Sequence, residues 1–316
     1  MRELRKEGFS LWCDFIQRDF LNTTFKVLIK NGIIYGATSN PSIFANAILK
    51  SHLYKNDINR LKGSMDSKSI YENLAFNDIA NAAESLMPLY LHNKDDGFIS
   101  IEIDPLLSND ARGSIEEGKR IYKTINKENV MIKVPATNEG YEVINELTKA
   151  NINVNATLIF STTQVIKCLE SVYKNTKSRV VISIFVSRFD RYLEDIYKDK
   201  NPTPKLGVYN AMKCAKLINE FNSTNIRALF ASTGVKGDFI NPNYYIESLL
   251  LKNTINTAPL ESIEQFIKNG DKKLKNIESN LDFYLVQYDI EDICKKLFEN
   301  GINAFVKSFE EMLRAI

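Results

Sequence analysis

Residues Val130–Phe160 read VMIKVPATNEGYEVINELTKANINVNATLIF. Their first part, Val130–Pro135, is a short apolar run rich in the residues that fill buried strands. The middle, Gly140–Ala150, sets Val143, Ile144 and Leu147 on one helical face among polar neighbours. The last, Ile152–Phe160, is again a β-branched run. Strand, amphipathic helix and strand at this spacing make a βα unit, and such units assemble into parallel sheets.

The same rhythm extends in both directions. Strand candidates upstream are Phe9–Phe15, Gly32–Thr38 and Gly97–Ile103; downstream they are Arg179–Ser187, Arg227–Thr233 and Asn253–Ala258. Between the third and fourth runs, Ile115, Ile121 and Ile125 mark another amphipathic helix. The gap from Asn40 to Phe98 holds two helical patterns, Asn40–Lys62 and Ser69–Asn93, and the gap from Arg188 to Ile226 holds two more. Pro259–Gly270 and the terminal Ile302–Ile316 continue the helical period, the latter with Phe305, Phe309, Met312 and Ile316. Eight βα units predict the α/β class and a (β/α)8 TIM barrel with additional helices, in one domain over residues 1–316. A doubly wound open sheet is the structural alternative.

Composition narrows the function. The chain has 316 residues, 44% apolar and 25% charged, with a net charge of +2, so no basic field points to nucleic acid. Asp271–Lys275, DKKLK, is the densest basic cluster and reads as the solvated face of a helix. No apolar run approaches a membrane span, and the start lacks the apolar stretch of a secretion signal, so a cytoplasmic protein is expected. Cys13, Cys168, Cys214 and Cys294 are widely spaced and expected as reduced thiols. His52 and His92 stand outside any metal-binding or triad spacing and read as surface or packing residues. Neither GxGxxG nor GxxxxGK[ST] follows a strand, which argues against dehydrogenase and kinase readings. Any chemistry therefore falls to Lys, Asp, Glu, Ser and Thr.

Those residues collect at the C-terminal ends of the strands, where such barrels hold their active sites. Asp14, Thr38 and Asn40, Glu102 and Asp104, Lys133, Asn155 and Thr157, Ser183 and Ser232 come from seven strands. Asn155 and Thr157, two apart, share a face. Singly, each has a plain explanation: Lys133 as half of a buried ion pair with Glu102 or Asp14, Asp14 as a loop cap, Thr157 as a β-former. Together they point to chemistry. A lysine in an apolar barrel tends to lose its proton and become nucleophilic. It then attacks a carbonyl, and the resulting imine is an electron sink for cleaving a neighbouring carbon–carbon bond. Such a site needs a carboxylate for the hydroxyl proton, a role suiting Asp14. It also needs a relay for the carbinolamine water, which suits Glu102 with Thr157.

The segments TSNPSIF (38–44), SIEID (100–104), MIKVPAT (131–137), INVNATLIFS (152–161), ISIFVSR (182–188) and ASTGVK (231–236) together resemble the transaldolase family, in order from about Ser10 to Thr257. The resemblance implies a (β/α)8 barrel without cofactor or metal. It implies transfer of a dihydroxyacetone unit between sugar phosphates through a lysine imine. By the same resemblance Lys133 is the imine lysine, Asp14 the acid/base, and Glu102 with Thr157 the pair holding a catalytic water. Asn40, Asn155 and Ser183 would position the donor's hydroxyls, and Arg188 and Ser232 would take its phosphate. Where many members carry an arginine after the strand-seven serine, this chain has Thr233-Gly234-Val235-Lys236. Lys236 is then the third phosphate contact, or else a solvated loop lysine. Cys13 and Ile184, which differ from residues common in some branches, read as packing. Sugar phosphates are the expected partners, without nucleic acid or membrane, and the chain is expected as a monomer or homodimer. Fructose-6-phosphate aldolases are the nearest rivals, but they carry glutamine at the position of Glu102 and tyrosine at that of Phe185. A pyridoxal-phosphate barrel and a catalytically degenerate barrel are the remaining alternatives.

Overall fold

The computed structural model describes residues 1–197, 205–235 and 240–316. The strands are β1 (Ser10–Cys13), β2 (Gly36–Thr38), β3 (Phe98–Glu102), β4 (Val130–Pro135), β5 (Asn153–Ile159), β6 (Val180–Phe185), β7 (Ile226–Ala231) and β8 (Thr254–Ala258). Each pairs in parallel with the next, and β8 returns to β1, closing the barrel. The eight-unit expectation holds, and the open sheet is set aside.

Three short helices, α1 (Arg2–Lys6), α2 (Arg18–Asn22) and α3 (Thr24–Lys30), flank β1. After β2 come α4 (Pro41–Lys50), α5 (Lys55–Leu61) and α6 (Ser67–His92). The following units carry α7 (Ala111–Ile125), α8 (Asn138–Lys149), α9 (Thr162–Ser171), α10 (Ser187–Tyr197) and α11 (Leu206–Glu220). The chain ends with α12 (Tyr244–Ser248), α13 (Leu260–Asn269), α14 (Leu281–Leu285) and α15 (Ile290–Ala315).

Strand alternation divides the core in two. Leu11, Ile99, Ile132, Ile182 and Phe230 pack outward in one cluster with the helices. Their chain neighbours Trp12, Phe98, Met131, Val181, Leu229 and Ile255 form a separate buried cluster inside the barrel. Trp12 needs its neighbour to be glycine: a Cβ at Gly36 would lie 2.5 Å from the indole ring. At the N-terminal end, Arg227 closes the barrel by donating to the carbonyls of Asp95, Gly8 and Thr254 and to Ser10 Oγ, at 2.9–3.2 Å. The lumen is thus filled below and polar above.

Three local expectations are corrected. The strand expected over Gly32–Thr38 begins only at Gly36, because Gly32 turns the chain with φ +65°. The helix expected over Asn40–Lys62 breaks at Ser51, which is extended and whose side chain accepts from Leu53 N, leaving α4, a 3-10 turn and α5. DKKLK lies on no helix: α13 stops at Asn269, and the basic residues follow on exposed irregular chain tied down where Lys275 N donates to Leu250 O at 2.7 Å. Phe305, Phe309, Met312 and Ile316 are buried within the chain. They lie on the long α15, joined to α4 where Ser42 and Ser308 hydroxyls meet at 2.8 Å.

Candidate active site

Register aligns the polar side chains before any ligand is considered. Glu102 pairs with Lys133 across β3 and β4, and Lys133 with Asn155 across β4 and β5. All three share the lumen parity of Phe98, Met131 and Val181 beneath them. Lys133 is buried; its Nζ donates to the Ser39 carbonyl at 2.7 Å and lies 3.0 Å from Glu102 Oε1. The lysine is therefore both buried and paired, as the ion-pair reading with Glu102 expects.

Asp14 follows β1 and accepts a hydrogen bond from Thr38 Oγ1 at 2.5 Å, while Thr38 also meets Thr257 Oγ1 at 2.7 Å. Asn155 is held at both ends of its amide, donating to Ser100 Oγ at 3.0 Å and accepting from Ser183 Oγ at 2.6 Å. Thr157 Oγ1 and Glu102 Oε2 are buried without a partner, and Glu102 Oε1 has only the Lys133 ion pair. Orphaned polar atoms of this kind are rare in interiors, and they mark a place for a polar ligand or water.

Burial raises the Glu102 carboxyl to about 7, against the opposing pull of Lys133. Burial likewise raises Asp14, and Lys133 and the Thr38 hydroxyl restrain it. Two carboxyls with different environments thus stand beside one lysine, an arrangement able to divide acid from base work.

A cavity of about 190 Å³ opens over this layer, lined among others by Asp14, Asn40, Lys133, Ser183, Arg188 and Ser232. Phe185 and Phe305 supply apolar walls, so α15 contributes directly to the site. Glu102, Asn155 and Thr157 do not line the cavity; Glu102 reaches it through Lys133 and Asn155 through Ser183. Asn40 caps α4 with Oδ1, accepting from Ile43 N at 3.0 Å.

Arg188, in the first turn of α10, has its guanidinium 5.2 Å from the Phe185 ring centroid. Burial, with Arg191 nearby, lowers it to about 10, and among the described residues it has no carboxylate partner. Next to it Ser232 adopts φ +53°, an uncommon conformation for a residue with a side chain, and its hydroxyl meets Ser187 Oγ at 3.0 Å. A cation with no carboxylate partner among the described residues, beside a helix start and two hydroxyls, can receive an anion. Lys236 lies outside the described residues.

Of the ten residues singled out in the sequence, six line this one cavity, Glu102, Asn155 and Thr157 lie in the strands beneath it, and Lys236 falls outside the described residues; the supports of these side chains were not singled out. Thr38 as the holder of Asp14, the Ser39 carbonyl on Lys133 and the Phe305 wall were not foreseen. Thr38 was already among the polar residues at the strand ends, and its lumen position on β2 beside Asp14 was the signal for its role. His52 and His92 are exposed and all four cysteines are buried free thiols. Among the described residues no cluster of His, Cys, Asp or Glu forms a metal-binding group, and no helix is long and apolar enough to cross a membrane.

The profile of the Transaldolase/Fructose-6-phosphate aldolase family matches residues 11–316. A transaldolase of Helicobacter pylori strain Shi470 is 47% identical over 314 residues, covering 97% of this chain and 99% of the relative. A transaldolase of Campylobacter jejuni serotype O:6 is 48% identical over 330 residues, covering 98% and 100%. Among solved structures, a fructose-bisphosphate aldolase of Campylobacter jejuni aligns at TM-score 0.42 and 13% identity over 100% of this chain and 92% of its own, a likeness that carries no argument. Barrel, family profile and full-length identity agree: this chain belongs to the transaldolase/fructose-6-phosphate aldolase family.

Proposed function

We propose that this enzyme is a transaldolase acting through an imine on Lys133, in a single domain over residues 1–316. It moves a dihydroxyacetone unit from a ketose phosphate (sedoheptulose 7-phosphate or fructose 6-phosphate) to an aldose phosphate (glyceraldehyde 3-phosphate or erythrose 4-phosphate), the exchange used in the pentose phosphate shunt. One observation carries the reading: a single cavity is lined at once by Lys133, Asp14 and Arg188. These are a nucleophile, an acid–base group and a cation awaiting an anion.

Arg188, Ser232 and the start of α10 hold the donor's phosphate, and Asn40, Ser183 and Asn155 orient its hydroxyls. Lys133 attacks the C2 carbonyl as the amine, its proton passing to Glu102 3.0 Å away. The protonated Glu102, through a water shared with Thr157, then delivers a proton to the carbinolamine hydroxyl; the C–O bond breaks, water leaves and the iminium forms. Asp14 takes the proton from the C4 hydroxyl as the C3–C4 electron pair moves into the iminium. The aldose departs, leaving an enamine on Lys133. The acceptor aldehyde reverses the sequence, with Asp14 returning the proton to the new hydroxyl and water releasing the product. Phe185 beside the cavity and glutamate at 102 support transfer over the aldolase alternative, whose members carry tyrosine and glutamine there.

The test is borohydride trapping with fructose 6-phosphate followed by peptide mapping. A reduced adduct on the Lys133 peptide, depleted when erythrose 4-phosphate is added and lost in Lys133→Ala, is the expected result. An adduct on another lysine, or none, overturns the mechanism.

A further inference from the structure

Along α15 buried residues recur every four positions, at Ile293, Leu297, Gly301, Phe305 and Phe309. Four of these are large and apolar, and the middle one is glycine. Proline apart, glycine is the residue least suited to a helix interior. Gly301 lacks the positive φ that would call for it. The reason lies in what α15 meets at that turn.

A Cβ built on Gly301 would lie 2.9 Å from Leu158 Cδ2 and 3.3 Å from Arg188 Nη1. The first distance is closer than real Cβ atoms come, and the second is tighter than nearly all of them. Leu158 has little room to yield. It is fully buried, it stands at the bulge of β5 directly after Thr157 with φ +59°, and Gln164 Nε2 holds its carbonyl at 3.1 Å. Arg188 is freer, because it borders the open cavity. Among the described residues its guanidinium makes no hydrogen bond or ion pair, only the contact with the Phe185 ring. Its position is therefore set by walls: the Phe185 face and the bare turn of α15 at Gly301.

We propose that Gly301 is a positioning residue for recognition of the sugar phosphate: by omitting a side chain, it lets the Arg188 guanidinium lie against the α15 backbone and face the cavity. The inference rests on the reading of Arg188 as the phosphate receptor. A methyl group at 301 has one neighbour able to give way, the guanidinium, which must shift by a few tenths of an ångström toward the cavity. Charge-assisted hydrogen bonds depend on direction as well as distance, so the shifted fork meets the phosphate less well. Gly301 itself touches no substrate and acts through Arg188. Alanine is also the better helix residue, so the same change that harms phosphate recognition favours α15.

The test is Gly301→Ala, alone and combined with Arg188→Met, assayed on two substrate pairs: fructose 6-phosphate with erythrose 4-phosphate, and fructose with glyceraldehyde. In Gly301→Ala, KM for fructose 6-phosphate is expected to rise about fivefold or more while kcat stays within about twofold. On the unphosphorylated pair kcat/KM should stay within about twofold of the wild type. Tm by calorimetry should hold or rise, and inorganic phosphate should raise it less than in the wild type. Added to Arg188→Met, Gly301→Ala should change KM by less than about twofold, because the group it displaces is gone. An unchanged KM in the single variant, or a rise that persists in full on Arg188→Met, overturns the positioning role. Equal loss on both substrate pairs with a lowered Tm overturns it too, since that is what a packing role gives. An Arg188→Met enzyme whose KM for fructose 6-phosphate matches the wild type overturns the phosphate reading of Arg188, and this inference with it.

Discussion

Replacing Arg188 with Met should make the empty protein more stable and the enzyme worse. Arg188 is lowered from 12.5 to about 10, chiefly by burial. At 1.36 kcal/mol per pKa unit this corresponds to roughly 3 kcal/mol of unfavourable charge burial. No carboxylate among the described residues offsets it; the Phe185 face, 5.2 Å away, returns about 0.5–2 kcal/mol. The sign is fixed across the working range. A base with a depressed folded pKa destabilises at every pH below that value, and relief begins only above about 10. Arg188→Met should therefore gain about 1–2 kcal/mol and raise Tm by a few degrees, read by calorimetry at neutral pH. Lost charge-assisted bonds to phosphate, about 1.5–3 kcal/mol each, should cut kcat/KM for phosphorylated sugars by roughly 10²–10³. With an unphosphorylated ketose as donor and an unphosphorylated acceptor, the variant should match the wild type. Inorganic phosphate should stabilise the wild type and leave the variant's Tm unmoved. A variant that is less stable, or that loses activity equally on unphosphorylated sugars, would refute the reasoning.

Arg227 supplies the contrast. It too is lowered to about 10 by burial, yet it feeds three carbonyls and a hydroxyl at the barrel floor, beside Asp96. Arg227→Met should cost roughly 2–4 kcal/mol in denaturant unfolding, because those acceptors are left buried and unpaired. The specific activity of the folded fraction should not change. For Thr38→Val, the lost hydrogen bond is one that stabilises the Asp14 carboxylate, so Asp14 rises further. The acid limb of kcat should move up by about one pH unit, while imine trapping on Lys133 persists; an acid limb that stays put would remove Thr38 from the mechanism.

Much of this molecule follows from local pattern. The run Val130–Phe160 already holds strand, amphipathic helix and strand, and a period of two within each strand dictates which residues face inward. That parity alone puts Lys133, Asn155 and Ser183 on one side of the wall, because side-chain alternation is a property of extended backbone and needs no knowledge of partners. The limits appear where the information is nonlocal. Nothing in Asn40–Lys62 says that the Ser51 hydroxyl will break the helix by capping a new turn, since its apolar period continues across the break. DKKLK has the composition of a solvated helix face; that it is anchored as irregular chain depends on Leu250, which accepts from Lys275 N and lies 25 positions before it in sequence.

What the sequence by itself determined is the set of polar side chains at the strand ends, their facing, and the barrel that gathers them. What only the tertiary structure decided is how they are coupled. The pairing of Lys133 with Glu102 instead of Asp14 follows from strand register, which is settled by closure of all eight strands. The Phe305 wall exists because α15 folds back onto α4, a contact between residues more than 250 apart in the chain. Glu102 gains its raised proton affinity, and Arg188 its lowered one, from burial by distant segments. Desolvation depends on everything that surrounds a group in space, and a one-dimensional pattern holds only its neighbours along the chain.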